Sequence, residues 1–556
     1  MIAQFSQVHE ALIQKGFELV KSYPLPIYSV DLYVDGTPYA AYLSFVDSAL
    51  VYLPKIRLIQ RPPGLPSNCA HLTPLGHLCY IGPNQAHLPR DNLAGGVLGC
   101  IEIAETLLTR LASGDALSDT QDEFYASWLG ERLLIDLDQE PAGTIFDSTL
   151  IRVMTDRGRP NIYLLGRDKD ALLARYGQWK PEVSSISLIT RVVEAQFPIG
   201  ATEHDWPPTS LFMLLKWLAG DQKAINGIHS ALKDVYRSGA ADLILIIKGP
   251  NTSCAAFLEL REPLEEAPPI RSPIQYLKAV TQRHSKSLKM IPLDPAYVDP
   301  ASWLERNMQD DHRGLAGKNI VLVGCGAIGG YLTDLLAKSG AGFLGGSLTL
   351  IDSDVLSVGN IGRHALGFGD LDRKKSQALA EDLRRRYPAV NVLPLMEDFL
   401  NVKGLSGTDL VINATGDQAL SHHMSEQWLE GNMPAVLFSW ITGTGCGVQA
   451  YLLSGPGQAC MSCLDYSDPG GVYSVMASEY KHQHKHAPSC GDWLVPYSAA
   501  AAVHAAALAC DLAVAWARGR PAPTLRSFTL DYAAGKVVPP ASPPRRNDCK
   551  ICSLYH

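Results

Sequence analysis

A glycine-rich turn between a strand and a helix is the feature that most constrains how this chain folds. The apolar run NIVLV at 319–323 leads directly into a turn with Gly324, Gly326 and Gly329, and a helical pattern follows. Glycine allows a tight turn and close approach of the backbone to a phosphate, and the helix N-terminus supplies N–H donors and a positive dipole end. The next strand is followed by Asp352, where a carboxylate can meet a ribose hydroxyl. The pattern predicts a nucleotide-binding βαβ unit.

Polar residues beyond the turn distinguish between two kinds of nucleotide site. Asp354 follows Asp352 closely, Asn360 and Arg363 come next, and a helix then opens with Lys374 and Lys375. The strand pattern at 409–414 is followed by Asp417. A nicotinamide dehydrogenase fits the glycines equally well but needs no such set. Triphosphate carries about four negative charges that Arg and Lys balance, and a nearby acid can hold Mg²⁺. The sequence therefore favours ATP with Mg²⁺.

Four of the twelve cysteines form two C-x-x-C pairs, Cys460/Cys463 and Cys549/Cys552. Twelve cysteines in 556 residues are too sparse for a disulfide scaffold, and Met1–Lys15 lacks the pattern of a secretory signal, so we expect a cytoplasmic protein with reduced or metal-bound thiols. Four thiolates are the ligand set of a closed tetrahedral zinc site. We predict a structural zinc that ties the chain end to its domain; a redox pair or unconnected thiols are the alternatives.

Cys490 lies between a long polar segment at 466–489 and an alanine-rich helical run. A thiol at a loop–helix junction gains from the helix dipole, and Lys485 with three neighbouring histidines adds positive charge. Both effects favour the thiolate, so Cys490 is predicted to be a nucleophile. An ordinary buried cysteine is the alternative, and a metal-binding histidine cluster is a weaker one.

The order of residues from 324 to 417 resembles the ThiF/MoeB adenylyltransferase family and the related enzymes that activate ubiquitin. The resemblance implies a glycine loop that binds ATP, formed by Gly324, Gly326 and Gly329, and a ribose-binding acid, Asp352, with Asp354 completing the D-x-D pattern. It also implies that Asn360, Arg363 and Lys375 hold the triphosphate, that Arg363 is catalytic, and that Asp417 binds Mg²⁺. Lys374 could replace Lys375, and Arg306 or Arg313 could supply the family's upstream arginine. The family also carries paired cysteines for zinc and a catalytic cysteine on a crossover loop, here about 466–490, which would be Cys490.

The segment around Cys79 resembles the ubiquitin-conjugating fold near its active cysteine. A helical pattern at 8–21 and a strand hairpin with a turn at Asp35-Gly36 precede it, and His71, Gly76, Leu78 and Cys79 match the family's order. Leu72-Thr73 replaces the family's Pro-Asn, and Thr73 or Asn68 could substitute for that Asn. Cys69 is the nearest rival nucleophile, and Cys100, in the helical stretch 93–112, is expected to be packing.

Three domains are expected in a multidomain protein of α/β and α+β class. They are a conjugating-enzyme-like α+β domain at 1–145, a middle α/β linker domain of unknown role at 146–300, and a Rossmann-like ThiF-type adenylation domain with a parallel sheet and a zinc knuckle at 301–556. The arrangement resembles the fused activating–conjugating enzymes of bacterial anti-phage systems of the CBASS type. It implies ATP-dependent activation of a protein C-terminus, a thioester on Cys490, transfer to Cys79 and conjugation to a target amine. A cyclic-oligonucleotide synthase or a ubiquitin-like protein would supply the C-terminus, and the adenylation domain would form a homodimer.

Composition sets limits on this interpretation. A net charge of −8 is unsuited to coating nucleic acid or an anionic membrane, and the alanine-rich run at 499–517 is expected to be a packed helix and not a membrane span. Three other functions remain open at this point. They are a sulfur-carrier adenylyltransferase with an unrelated N-terminal binding module, a non-catalytic scaffold, and an NAD-dependent oxidoreductase.

Overall fold

The chain divides into two units, Met1–Val298 and Asp299–His556, in a computed structural model. The structure describes residues 3–34, 36–61, 70–73, 75–82, 85–113, 124, 128, 130–137, 141, 143–153, 162–176, 185–201, 206–260, 270–308, 313–402, 404–464, 467–481, 485–486 and 493–555.

The N-terminal part of the first unit is an antiparallel sheet flanked by two helices. Its elements are α1 (Ala3–Gln14), β1 (Glu18–Lys21), β2 (Ile27–Val34), β3 (Thr37–Ser44), β4 (Lys55–Leu58) and α2 (Leu93–Ser113), with the strands in that order across the sheet. Val34 pairs with Thr37, which confirms the predicted two-residue turn. Cys100 is buried in α2 and packs in the core that the helices and sheet share, as expected.

The first helix is shorter than predicted, because the pattern at 8–21 spans both α1 and β1. Gly16 follows the helix with a φ of +87°, a conformation that glycine adopts readily. Phe17 N–H then donates to the Leu12 carbonyl at 3.0 Å, a bond that closes the helix end. The apolar residues beyond Gly16 therefore continue the periodicity on a strand.

A closed seven-stranded barrel follows in the same unit. It contains β5 (Glu131–Ile135), β6 (Ile145–Val153), β7 (Ile162–Gly166), β8 (Ser185–Glu194), β9 (Asp242–Lys248), β10 (Ser253–Glu259) and β11 (Met290–Tyr297), in the order β10-β11-β5-β7-β6-β8-β9. Among the residues that the structure describes, four α-helices accompany it: α3 (Lys169–Tyr176), α4 (Leu211–Trp217), α5 (Gln222–Ser238) and α6 (Pro273–Lys278). Apolar side chains such as Leu133, Phe146 and Ile244 form one core cluster, and Trp128, Leu214 and Ile228 belong to a second. β5 thus pairs with strands beyond the predicted boundary at 145.

The second unit is a helix-covered sheet. Its strands are β12 (Asn319–Val323), β13 (Ser347–Ile351), β14 (Val392–Leu395), β15 (Leu410–Asn413), β16 (Ala435–Thr442), β17 (Gly447–Leu453) and β20 (Leu525–Thr529), with a separate two-residue pair β18 (Lys485–His486) and β19 (Trp493–Leu494). Its helices are α7 (Pro300–Asn307), α8 (Ala327–Lys338), α9 (Lys375–Arg386), α10 (Gln418–Leu429) and α11 (Ala499–Ala517).

The sheet is mixed and not purely parallel. Its order is β14-β13-β12-β15-β16-β17-β20, and the first five strands are parallel, whereas β17 and β20 run antiparallel to their neighbours. The order reverses between β12 and β15, where crossovers leave toward opposite edges. A ligand crevice is expected at the carboxyl ends of two such strands.

The alanine-rich helix α11 is long and apolar enough by length and composition to cross a membrane, and it is the one described helix that meets this test. Ser498 caps its N-terminus by accepting from Ala501 N–H. Ala505, Ala509 and Leu512 are fully buried in the core of the second unit, so α11 is the packed helix that the sequence predicts.

Candidate functional site

A cavity of about 740 Å³ lies where the sheet order reverses, and we call it the central cavity. The loops after β12, β13 and β15 line it together with the start of α9 and residues 495 and 497. Of the nine predicted nucleotide-site residues, eight line it: Gly324, Gly326, Asp352, Asp354, Asn360, Arg363, Lys375 and Asp417. Segments almost 100 residues apart in sequence thus meet at one edge of the sheet.

The glycine loop is tightly packed against its neighbours. Gly324 has a φ of +88°, and a Cβ there would lie 2.8 Å from the Thr415 side chain. Gly329 does not line the cavity; a Cβ at this position would lie 1.9 Å from the Gly324 carbonyl oxygen. Gly324 and Gly329 are therefore required by close packing, and the loop leaves its backbone N–H groups at the N-terminus of α8.

Asp352 fixes the loop from below the cavity. Its Oδ2 accepts from Cys325 N–H at 2.7 Å, and its Oδ1 accepts from Asp354 N–H at 2.8 Å. The carboxylate thus links the glycine loop to the segment after β13. Because these bonds engage one acceptor site on each oxygen, further lone pairs can still accept from a ribose hydroxyl.

His364 supports the same loop, a role that no sequence motif predicts. It is buried, its Nδ1 accepts from Leu366 N–H at 3.0 Å, and its Nε2 lies 2.7 Å from the Cys325 carbonyl oxygen. This assigns the proton to Nε2 in the neutral ring. Burial lowers the pKa of His364, and the charge of Lys375 adds to the lowering. The neutral imidazole is thus a structural link beneath the loop.

Lys375, and not Lys374, lines the cavity. Its ammonium lies 2.8 Å from Asp354 Oδ2, and the Lys375 side chain is 8% exposed while that of Asp354 is 69% exposed. Lys374 Nζ donates to the Ser353 carbonyl at 2.5 Å. The first residue of α9 therefore presents a nearly buried cation to the cavity, and the alternative left open by the sequence is resolved in favour of Lys375 as the cavity residue.

Arg363 connects the cavity to the chain that follows the crossover loop. Its Nη1 donates to the Val495 carbonyl at 3.4 Å, and its guanidinium lies 4.6 Å from the centre of the Tyr497 ring. Asn360 Oδ1 accepts from both Ser357 N–H and Ser357 Oγ at 3.0 Å. The turn that carries Asn360 and Arg363 is thus fixed by its own side chains.

Asp417 lies at the cavity end of α10 and caps that helix. Its Oδ1 accepts from Leu420 N–H at 3.0 Å, and its own N–H donates to Thr415 Oγ1 at 3.1 Å. Asp417 is exposed and lines the cavity, and a carboxylate is a ligand that divalent cations prefer. Arg306 and Arg313 do not line the described cavity, and Arg313 pairs with Glu305 at 3.6 Å.

Several cavity residues could not be anticipated from the motif. Glu397 and Asp398 follow β14 at the same sheet edge, and Trp440, Met476 and Tyr497 line the cavity from segments further along the chain. The two acids follow directly after a predicted strand, so their position could have been predicted from the sequence. The other three depend on how distant segments pack.

The four predicted metal cysteines converge on one point. Cys460, Cys463, Cys549 and Cys552 are buried, and their sulfur atoms all lie within 4.8 Å of one another. The Cys460–Cys463, Cys460–Cys549 and Cys463–Cys552 sulfur distances are 3.7, 3.6 and 3.7 Å. A tetrahedral ion with bonds of about 2.3 Å to sulfur needs sulfur separations of about 3.8 Å. The cluster therefore has the size and ligand set of a closed tetrahedral site.

Cys79 is exposed at the end of a short hairpin. Its N–H donates to the His71 carbonyl at 2.8 Å, and Thr73 N–H donates to the His77 carbonyl at 2.9 Å across the turn that contains Gly76. Thr73 Oγ1 accepts from His77 N–H at 3.0 Å, so this hydroxyl oxygen stabilises the turn. Asn68 and Cys69 lie outside the described residues.

Cys490 and the histidines at 482 and 484 also lie outside the described residues, but both flanks of this segment are described. Upstream, Tyr480 OH accepts from Thr444 N–H at 2.7 Å, and Lys536 Nζ donates to the Gly471 carbonyl at 2.8 Å. Downstream, Val495 and Tyr497 contact Arg363. Ser467, Met476, Val495 and Tyr497 all line the central cavity, so the chain on each side of Cys490 lies at this site.

Residues 304–551 match the model of the ThiF family. Over 159 residues the chain is 24% identical to the molybdopterin-synthase adenylyltransferase of Escherichia coli (strain K12), an alignment that covers 28% of this chain and 61% of that protein. Together with the switch-point cavity and its charged residues, the match defines the second unit as an adenylation domain of the ThiF adenylyltransferase family, which uses ATP.

Two longer alignments define the family of the whole chain. It is 32% identical over 522 residues to the ATP-dependent ubiquitin transferase-like protein Cap2 of Pseudomonas aeruginosa (strain BWHPSA011 / Pa011), with 91% of each chain covered. It is 24% identical over 521 residues to the protein of the same name from Escherichia coli (strain TW11681), covering 87% of this chain and 86% of that one. The chain belongs to the Cap2 family of ATP-dependent ubiquitin transferase-like proteins, which confirms the family resemblance derived from its motifs.

Proposed function

We propose that this protein activates a protein C-terminus with ATP and Mg²⁺, holds it as a thioester first on Cys490 and then on Cys79, and joins it to a target amine. The observation that carries the proposal is the central cavity, where a glycine loop, three aspartates, an asparagine and two cations meet at the carboxyl ends of β12, β13 and β15. No dinucleotide needs this combination of charges, whereas adenylation of a carboxylate with release of pyrophosphate does.

Charge in the cavity is arranged for a triphosphate. Asp354 neutralises Lys375 at 2.8 Å, and the Tyr497 ring covers the Arg363 guanidinium at 4.6 Å. Both cations are therefore held near the glycine loop, from which they can turn toward phosphate oxygens. Asp417 would hold Mg²⁺, which would neutralise part of the phosphate charge.

Cys490 would receive the activated C-terminus. Both flanks of its segment border the cavity, through Ser467 and Met476 upstream and through Val495 and Tyr497 downstream. In the transfer, the Cys490 sulfur attacks the acyl carbon of the acyl-adenylate, the C–O bond breaks and AMP leaves. The Cys79 thiol then exchanges with Cys490 on the acyl group, a step with little change in free energy because one thioester replaces another.

The four-cysteine cluster would bind structural zinc. Its sulfur spacing fits a tetrahedral Zn²⁺ site, and four thiolates leave no coordination position for a substrate. The partners that fit this chemistry are a protein with an exposed C-terminus, such as a cyclic-oligonucleotide synthase or a ubiquitin-like protein, and a target amine. A homodimer through the adenylation domain and a role in antiviral defence form part of the same proposal.

ATP–pyrophosphate exchange with a candidate protein ending in glycine tests the adenylation step. Arg363→Ala should reduce exchange roughly 100-fold, because a charge that stabilises the transition state is lost. Arg373→Ala is the matched control, since Arg373 pairs with Asp370 at 2.7 Å and does not line the cavity. Tight NAD binding without exchange on any acceptor would contradict the proposal.

A non-reducing gel with ATP and the same acceptor tests the thioester steps. Cys490→Ala should retain pyrophosphate exchange but carry no thioester. Cys79→Ala should charge Cys490 and form no amide-linked product, whereas Cys100→Ala, which changes a buried packing residue, should still form it. If Cys79→Ala leaves product formation intact, the N-terminal part is a binding module and the proposal fails at its last step.

A further inference from the structure

The hairpin that ends at Cys79 aligns this cysteine with one histidine and two cations. His77 forms an antiparallel bridge with Arg57 of β4, and Leu78 N–H donates to the Ile56 carbonyl at 3.0 Å. Continuing this register by two residues puts Cys79 opposite Lys55. Lys55, Arg57, His77 and Cys79 are therefore neighbouring positions on two paired segments.

Burial shows that these four residues share the outward face. Ile56 and Leu58 are buried at 1% and 4% exposure, and Leu78 is buried at 6%, so the residues between them point away from the core. Lys55, Arg57 and Cys79 are exposed and His77 is half-buried, which is the alternation expected of paired strands. Side chains two residues apart on one strand face lie about 7 Å apart at their Cα atoms, within reach of one substrate amine.

We infer that His77 is the general base that takes the proton from the amine attacking a thioester on Cys79, with Arg57 and Lys55 stabilising the charge that develops on the acyl oxygen and sulfur. The inference rests on the proposed function of Cys79. It also accounts for the missing Asn of the family pattern, because cations on this face can stabilise the oxyanion instead.

The reaction balances without a further reagent. The amine nitrogen attacks the acyl carbon, the C–N bond forms and the C–S bond breaks, and Cys79 leaves as a thiolate. His77 accepts the proton that the amine nitrogen loses and later passes it to water. Burial, followed by the charges of Arg57 and Lys55, lowers the pKa of His77, so the imidazole is neutral and able to accept a proton at pH 7.

His77→Gln tests the inference on the full chain. The substitution retains the backbone hydrogen bond from Thr73 N–H to the His77 carbonyl and the donation from His77 N–H to Thr73 Oγ1. Cys79 is charged chemically by exchange with the 2-mercaptoethanesulfonate thioester of acetylglycine, and discharge is followed at the Cys79 peptide by mass spectrometry. This charging step does not need ATP or Cys490. His87→Gln, at an exposed histidine outside the hairpin, is the matched control.

Discharge to lysine should fall roughly 100-fold in His77→Gln, since a general base contributes at least this much. Discharge to hydroxylamine, a strong nucleophile that is unprotonated at neutral pH, should change little. Arg57→Gln should shift the pH profile of lysine discharge upward, because the pKa of His77 rises when a neighbouring cation is removed. Equal lysine discharge by His77→Gln and the native chain would overturn the inference alone, whereas failure of Cys79 to accept the acyl group in the native chain would overturn the proposed function with it.

Discussion

The central cavity and the four-cysteine cluster both border helix α10, but the cavity is open and charged whereas the cluster is closed and buried. Asp417, the N-cap of α10, is exposed and lines the cavity. Further along, Ser425 Oγ accepts from Met461 N–H at 3.1 Å, and His422 Nδ1 lies 3.0 Å from Ser462 Oγ, so the helix supports the first C-x-x-C pair. The N-terminus of α10 borders an open, charged cavity, and residues further along the helix support a closed, buried set of identical ligands.

This difference separates chemistry from stability. The cluster has four buried sulfur atoms, which would fill a tetrahedral metal site and leave no coordination position for a substrate. A substitution there should therefore change the stability of the fold. The cavity has charged side chains that are paired but remain at an open surface, so a change there should act on the reaction. Substitutions in the cluster and in the cavity should therefore move different observables.

Cys549→Ser tests the four-cysteine cluster and should have the largest effect on stability. Loss of one of four ligands should abolish tight metal binding and destabilise the second unit by more than about 4 kcal/mol, because loss of a metal is among the few changes that cost this much. Metal analysis should give about one zinc per native chain and less in the variant, while a thermal melt reports the stability.

Cys446→Ser is the control for that prediction. Cys446 is also buried in the second unit, but its sulfur lies 3.2 Å from the Thr442 carbonyl, a contact that a serine hydroxyl can reproduce. A native chain that is free of metal and equally stable would contradict the structural role of the cluster, as would a Cys549→Ser variant that keeps its stability but loses pyrophosphate exchange.

Lys375→Ala tests the central cavity, with Lys374→Ala as a control one residue away. Pyrophosphate exchange should fall roughly 100-fold for Lys375→Ala and change little for Lys374→Ala. The stability of both variants should remain within about 1 kcal/mol of the native chain, since the Asp354 partner of Lys375 is exposed. If Lys374→Ala has the larger effect on exchange, the assignment of the cavity cation is wrong.

The sequence predicted which residues line the central cavity where these residues lie close together along the chain. Asp352, Asn360, Arg363 and Lys375 follow β13, the next strand after the glycine turn. Parallel strands bring their carboxyl ends together, so the motif locates these residues at the cavity. The cysteine cluster was predicted for a different reason, since two C-x-x-C pairs are a specific ligand pattern across any separation.

Other features depend on register and packing that a single sequence does not specify. The pattern at 8–21 missed the end of α1 at Gln14, because the apolar period continues past Gly16. The seven-stranded barrel closes through pairs such as β5 with β11, whose positions are about 160 residues apart. His77 shares the outward face with Cys79 because their segment pairs with β4. His364 follows the motif residue Arg363 and reaches the glycine loop through a hydrogen-bond contact that the motif does not specify.

The smallest expected effect is a pH dependence of stability that arises from His364, the histidine that contacts the glycine loop of the central cavity. Burial lowers the pKa of His364 in the folded chain below its ordinary value of about 6.5. As pH falls through that ordinary value, the unfolded chain binds a proton that the folded chain does not, so the stability contributed by the neutral imidazole is lost toward lower pH by at most about 1.4 kcal/mol per pH unit. The native chain should therefore melt at a higher temperature at pH 7 than at pH 5, and His364→Gln should reduce this difference while lowering stability at pH 7.

His504→Gln, at an exposed histidine of α11, should leave the difference unchanged. An equal difference between the two pH values in the native chain and in His364→Gln would show that His364 does not stay neutral in the folded chain as pH falls.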